Sequence, residues 1–462
     1  MFMTTESAGK LMDHALNLGA DFAELYIEKT NNQRLSVKNK EVHTLTGGID
    51  FGIGVRLIYG DEVLYGYLNS IQDDDVMNVM NQLASNYRRE KRTALNNFEL
   101  QKFNNQPNAL RPITDGSLID EKVDYLKKVS SISLNASDKI TVAEAGVFQN
   151  NQQVEIFNSE GLHAVDDRHY CRLTSNVIAE DGNEKSTGFF GPGMLQGWEI
   201  NEKYSPENMS DLVVGQALTK LNAAPCPGGQ MPVVIGNAFG GVIFHEACGH
   251  LLETTSVQKK SSVFWDKLGE TIANPVVNAV DDGTIKNEWG SINIDDEGMP
   301  VQRTQLIKDG KLEAFLSDKV GELKTGHKRT GSGRRESYRY APASRMRNTF
   351  IDKGSSSLDE MIESIDHGIY CKHMGGGSVQ PGTGEFNFAA NESYLIENGK
   401  ITTPLKAATL IGTGPDVLTK ISMVGNDLEL MAGMCGSVSG SVPVTVGQPA
   451  LKVDEILVGG QK

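Results

Sequence analysis

Apolar residues recur along the first half of the chain with helical and strand periods in alternation, which predicts a mixed α/β-sheet region. Residues 5–18 place Ala8, Leu11, Met12, Ala15 and Leu16 on one face and stop at Gly19, as an amphipathic helix with a glycine C-cap does. Residues 73–87 and 120–132 read as two more helices, the latter with Val123, Leu126 and Val129 on one side. Ser205-Pro206-Glu207 opens a fourth, with a capping Ser and a Pro in the first turn, that ends near Ala223. Arg56-Leu57-Ile58-Tyr59 and Val63-Leu64-Tyr65 are strand-like and meet at Gly60-Asp61, a hairpin turn. The acidic run Asp73-Asp74-Asp75 fits a helix N-terminus, where carboxylates oppose the macrodipole.

Pro225-Cys226-Pro227-Gly228-Gly229 interrupts this pattern and divides the chain into an N-terminal α+β domain, 1–224, and a C-terminal domain, 225–462. Most of the 49 glycines lie beyond residue 220, so the second domain is predicted to be β-rich. Two hairpins fall there: Gln305-Leu306-Ile307 turns at Asp309-Gly310, and Tyr394-Leu395-Ile396 turns at Asn398-Gly399. The fold class expected is α+β.

A length of 462 residues is enough for two cores. The net charge of −15 leaves no general basic field for a phosphate backbone and argues against direct nucleic-acid binding. The one dense basic cluster is Arg334, Arg335, Arg339, Arg345 and Arg347. Five scattered Cys argue against a disulfide scaffold, and the first residues carry acids and no apolar signal core, so a cytoplasmic location is expected. The apolar run from Met231 to Phe244 is shorter than a bilayer span and enters His245-Glu246, so no membrane segment is expected.

That run is the approach to the chemistry. A buried strand gives way through Gly236-Asn237 to a helix bearing His245-Glu246-Ala-Cys-Gly-His250. In His-Glu-x-x-His the two imidazoles are four residues apart, on one face of a helix, and share a zinc ion. Here they are five apart, a rotation of about 140° on a regular helix. A shared metal therefore requires a π-type bulge or another local distortion, most easily accepted at Gly249. Glu246 would then act as general base on a water attacking a carbonyl, while both His stay neutral as ligands. A catalytic zinc takes three protein ligands, and spacing leaves the third open between Glu253, one turn beyond His250, and Cys435, expected in a glycine-flanked loop, Gly433-Met434-Cys435-Gly436-Ser437. Cys248, inside the motif, reads as a packing residue.

The C-terminal half resembles the TldD subunit of the TldD/PmbA (TldD/TldE) zinc metalloprotease family. The likeness rests on the motif through Glu253 and on Ser261-Ser-Val-Phe264, Asp281-Asp-Gly-Thr284, Ile294-Asp-Asp-Glu-Gly298, Gly331-Ser-Gly-Arg-Arg-Glu-Ser-Tyr338, Tyr394-Leu-Ile-Glu-Asn-Gly399, Ile421-Ser-Met-Val-Gly-Asn426 and Gly447-Gln-Pro449, in family order. The resemblance implies zinc held by His245, His250 and Cys435, with Glu246 as base. It also implies cleavage of unfolded peptides, and either a homodimer or a heterodimer with a PmbA/TldE-like subunit that lacks the motif.

Two further features are candidate substrate contacts. Gly375-Gly376-Gly377, at the head of a glycine-rich stretch running to Phe388, exposes a bare backbone able to pair with an extended peptide by strand addition. Arg334 and Arg335 could grip a substrate carboxylate bidentately. The competing class of function is a non-enzymatic regulatory binder of the gyrase-modulator type, in which zinc would be structural and held by four protein ligands.

Overall fold

The computed structural model describes residues 1–87, 90–93, 97–113, 116–380, 383–406 and 408–460; Pro381 and Gly382 of the glycine-rich stretch lie outside them. Local turn chemistry sets the three expected hairpins. Tyr59 pairs with Glu62 around Gly60, whose φ is 68°. Lys308 pairs with Lys311 around Asp309 and Gly310, at φ 47° and 76°, and Glu397 with Lys400 around Asn398 and Gly399, at 50° and 71°. Two successive positive φ values define the mirror-image turn that matches strand twist, and Asp-Gly and Asn-Gly adopt it with least strain.

The N-terminal sheet runs in the order Glu62–Leu68, Glu41–Tyr59, Phe22–Lys38, Ile140–Asn158, Leu162–Asp181, Glu99–Lys102, with Glu184–Phe190 and Gly193–Met194 also paired to Leu162–Asp181. Its long strands reach 17 to 20 residues. Phe22–Lys38 and Ile140–Asn158 are apolar toward their ends and polar at their centres: Thr30, Asn31, Asn32 and Gln33 stand opposite Gln152, Asn151, Asn150 and Gln149. Helices therefore cover the two ends separately. Thr5–Asn17 and Asp73–Leu83 pack Leu11, Met12, Val76 and Met80 on Leu25, Ile27 and Val55. Ile119–Asn135 and Pro206–Leu221 cover the other end, around Leu35, Val147, Leu173 and Val177. The second helix stops at Leu83 rather than running to Tyr87, whose ring instead stacks on Tyr59 at 4.4 Å.

The C-terminal region holds two larger sheets. In one, Gly229–Ile235, Leu451–Gly459, Thr409–Thr413, Glu385–Glu397 and His367–Val379 pair in succession, and the last pairs back to the first, closing a ring. The other runs Lys311–Leu312, Arg303–Lys308, Ala279–Asp282, Asn348–Ile351, Gly440–Gln448, Glu429–Ser437. The strand Glu429–Ser437 is outermost, so one of its edges has no partner strand among the described residues. The fold class is α+β with a β-rich C-terminal part. No helix among the described residues is long and apolar enough to cross a membrane.

Buried charges join the two regions. Arg56 bonds Glu24 and, at 2.7 Å, Glu297; Arg335 reaches Glu24 at 2.6 Å; Arg168 reaches Asp296 at 2.7 Å. Glu24, Arg56 and Arg335 have fully buried side chains, so their attraction is little screened by solvent, and each depends on the others for compensation. Glu24→Gln leaves two guanidiniums sharing fewer charges and is expected to lower unfolding stability by about 3–5 kcal/mol. Urea denaturation checks it, with Glu6→Gln at the exposed Lys10 pair as the control expected to move by under ~0.5 kcal/mol. A shift under ~1 kcal/mol for Glu24→Gln would contradict this account of the interface.

Candidate metal centre

The motif helix is pressed between the two C-terminal sheets. Strand Gly229–Ile235 ends at Gly236, Ala238 turns with φ 53°, and the α-helix Val242–Ala247 follows. A Cβ on Gly241 would stand 2.4 Å from the Gly447 carbonyl oxygen, so the absence of a side chain sets how closely the helix approaches strand Gly440–Gln448. That strand is the hairpin partner of Glu429–Ser437, which carries Cys435 opposite Val442. One tight contact thus ties the position of the motif helix to that of the distant cysteine.

The distortion that a shared metal requires is present, one residue earlier than expected and of another kind. The α-helix ends at Ala247, Cys248 leaves helical geometry at φ −130°, ψ −48°, and a 3₁₀ turn, Gly249–Leu252, continues. No π-bulge forms. Gly249 serves packing instead, since a Cβ there would lie 2.2 Å from Met346 Sδ. Cys248 is buried, and burial alone raises its thiol pKa, which suits the packing role expected for it. Across this break the His245 and His250 rings meet edge to face, centroids 5.2 Å apart.

Cys435 completes the group. One donor atom from each of His245, His250 and Cys435 falls within 4.8 Å of the others. Atoms sharing a zinc ion at about 2.0–2.3 Å lie roughly 3.5 Å apart, so a contraction of about 1 Å closes the set. Cys435 Sγ is 3.2 Å from His250 Nε2. It sits on a strand, not in a loop, and is 2% exposed. Arg345, buried and without a carboxylate partner among the described residues, grips this hairpin: it donates to the Cys435 carbonyl, to Ser439 Oγ at 2.9 Å and to the Gly440 carbonyl at 2.8 Å.

The electrostatics suit a cation. Burial opposes ionisation of Cys435, but the imidazoles of His245 and His250 outweigh it and hold the thiol down to about 4. His250 is the converse case: burial pushes it down, Glu253 and Cys435 outweigh that, and its pKa is raised well above the usual value. Metal binding therefore meets a ready thiolate and displaces a proton from His250. Both ring nitrogens of His245 are buried without a hydrogen-bond partner, a costly state that a metal ion would relieve at one of the two. On donor chemistry and on these orphaned atoms, the residues fit a metal ion.

Glu253 does not join the donor set. Its Oε2 lies 3.0 Å from His250 Nδ1, buried behind the ring, which aims Nε2 at Cys435. Glu246 Oε2 lies 3.6 Å from His250 Nε2 with its side chain 28% exposed, at the rim of the donor group yet reachable by solvent.

The expected arginine grip on substrate is corrected by the structure. Arg334 spends its guanidinium on the Met346 and Pro443 carbonyls, and Arg335 on Glu24, the Asp296 carbonyl and Tyr65; both are 2% exposed. Nor does the basic cluster form a nucleic-acid surface. Arg345 and Arg347 are also buried, and Arg339 pairs with Asp50. The missing signal was the acidic run Asp295-Asp296-Glu297, whose charges face this segment and the N-terminal sheet.

Gly376 reaches open space, whereas Gly375 is buried, a Cβ there standing 2.6 Å from Asn391 Oδ1. Both glycines line a cavity of about 660 Å³ with His373, Met374, Phe239 and the outer edge of Glu429–Ser437 through Met434, the neighbour of Cys435. Gly377 is exposed but lies outside that lining, and a Cβ there would stand 2.0 Å from the Asn387 carbonyl oxygen. Here strand His367–Val379 bulges, its register shifting between Met374 and Gly377.

Comparison with known proteins identifies the family. The family profiles PmbA/TldA metallopeptidase domain 1, central domain and C-terminal domain match residues 23–86, 117–221 and 228–460. A Haemophilus influenzae protein named metalloprotease TldD homolog is 36% identical, covering 99% of this chain and 97% of its own. A homolog of the same name from Buchnera aphidicola is 34% identical over 95% and 93%. Among solved structures, a Thermotoga maritima protein described as a modulator of a DNA gyrase superposes with TM-score 0.80 at 20% identity over 98% and 99% of the two chains, and Thermococcus kodakarensis TldE with 0.77 at 20% over 98% and 100%. The chain thus belongs to the PmbA/TldD metallopeptidase family, and it is a metalloprotease.

Proposed function

We propose that the protein is a zinc peptidase that hydrolyses unfolded or extended peptides. The observation that carries this reading is the count of donors: His245, His250 and Cys435 converge, while Glu253 is held back on His250 Nδ1. Three protein ligands leave a coordination position open, whereas the structural site of a regulatory binder would need a fourth. Zinc at these donors would supply the Lewis acid that polarises the scissile carbonyl.

Glu246 supplies the proton chemistry. Its carboxylate takes a proton from the water as the oxygen attacks the carbonyl carbon, then delivers it to the departing amine nitrogen as the C–N bond breaks. Buried Glu253 keeps His250 oriented and basic throughout. The cavity between the Gly375-Gly376 bulge and the free edge of Glu429–Ser437 suits an extended peptide added as a strand, bound mainly through its backbone. Folded substrates cannot present such a strand, so selectivity falls on unfolded chains. A TldE-like subunit without the motif, or a second copy of this chain, is the partner we infer, in the cytoplasm.

Chelation tests the metal. Dialysis against a strong zinc chelator is expected to abolish cleavage of a disordered peptide, and stoichiometric zinc to restore it, with a folded control protein untouched in both states. Undiminished cleavage by metal-free protein would refute the reading.

A further inference from the structure

The large cavity holds a cation that the peptide-hydrolysis chemistry does not use. Arg172, on strand Leu162–Asp181, lines it together with Gly375, Gly376 and Met434. Its Nε donates to the Gly191 carbonyl at 3.2 Å. Its guanidinium carbon lies 5.9 Å from the centroid of the Trp289 ring, and Trp289 in turn donates from Nε1 to the Gly433 carbonyl at 2.8 Å. The indole is therefore pinned to the strand that carries Cys435, and it supports the flat face of the arginine.

The buried arginines elsewhere each have a partner for at least one Nη or Nε group. Arg56, Arg168, Arg335 and Arg347 meet carboxylates, and Arg334 and Arg345 meet carbonyl groups. Among the described residues no carboxylate pairs with Arg172. Burial is the sole influence on its pKa, which it lowers; no neighbouring charge contributes. The acids of the same cavity lie elsewhere on its wall: Glu288 and Glu429 act on Tyr204, and Lys203 on Glu288. A partly buried guanidinium facing a cavity with its Nη groups unspent has the geometry to receive a carboxylate bidentately.

We propose that Arg172, backed by Trp289, forms a carboxylate-binding subsite of the peptide channel. This rests on the peptidase reading for the ligand being a peptide. The path from Cys435 to Gly433 along the strand and across the indole to the guanidinium, two residues plus 2.8 Å and 5.9 Å, comes to roughly five residues of extended chain at about 3.3 Å each. The carboxylate is either the free C-terminus of the substrate or an Asp or Glu side chain at that distance from the cleaved bond, and the chemistry of recognition is the same for both.

Binding, not turnover, is the decisive readout. Zinc-loaded Glu246→Gln protein is titrated with fluorescent hexapeptides, and affinity is read by anisotropy. One pair compares a free C-terminal acid with its amide; the other compares amidated peptides with Asp or Asn at successive positions. A preference of about tenfold or more for the acid in either pair is expected. The first pair identifies the chain terminus and the second an acidic side chain. Adding Arg172→Gln should cut the preference below about twofold, and Arg172→Lys should restore part of it, with zinc content unchanged throughout.

Equal affinity for acid and neutral peptides, absence of binding by the free-acid peptides, or a preference that survives Arg172→Gln overturns the subsite. Failure of the peptidase reading has a different signature: the peptides bind with the predicted preference and wild-type protein leaves them intact.

Discussion

Glu246→Gln is expected to keep its metal and lose its turnover. The amide has the shape of the carboxylate, and Glu246 is not among the three converging donors, so zinc stoichiometry should match that of the wild type. What disappears is the base 3.6 Å from His250 Nε2 that would accept the proton of the attacking water. General-base contributions run to about 10²–10⁴-fold, and kcat should fall by that much with KM little changed. Single-turnover cleavage of a disordered peptide, paired with metal analysis of the same sample, measures both. Activity within a factor of ten of wild type would remove Glu246 from the mechanism.

Cys435→Ala is expected to divide metal affinity from fold stability. Partners that only orient a ligand cost about 10–100-fold in metal affinity when removed, so loss of a direct donor should exceed that range. In the metal-free protein the same change deletes one sulfur beside Val442 and Val444 and removes the thiolate partner of His250, which can shed its proton in response, a cost of about 1–3 kcal/mol. Zinc competition titration and thermal unfolding without metal give the two quantities. The added stability that saturating zinc confers should shrink in parallel, because that increment follows the ratio of ligand concentration to dissociation constant. Unchanged zinc affinity would mean that Cys435 is not a ligand.

The features legible in the chain are those whose cause is local. Asp309-Gly310 and Asn398-Gly399 fix their hairpins through their own backbone preferences, Ser205 caps its helix by accepting from Asn208 N–H, and Gly19, at φ 87°, follows the first helix. The motif histidines also announced their need for a break in the helix, because rotation per residue is a property of the helix alone. The residue after that break must be glycine because of Met346, nearly a hundred residues away, whose sulfur occupies the space a Cβ on Gly249 would need. The long strands escaped notice because Thr30–Gln33 and Gln149–Gln152 are polar at their centres, which reads as loop until the two segments are set opposite each other. Arg334 and Arg335 looked exposed for a related reason. Their partners, the Pro443 carbonyl and Glu24, are 109 and 311 positions distant, and no window of sequence contains both members of either pair.

Zinc K-edge X-ray absorption on wild-type protein and Cys435→Ala tests the joint coordination of His245, His250 and Cys435 most directly. The account predicts a wild-type first shell with two imidazole nitrogens at about 2.0–2.1 Å and one sulfur at about 2.3 Å, the sulfur shell vanishing in the variant. A wild-type shell of nitrogen and oxygen alone, or a sulfur shell that persists without Cys435, would contradict it.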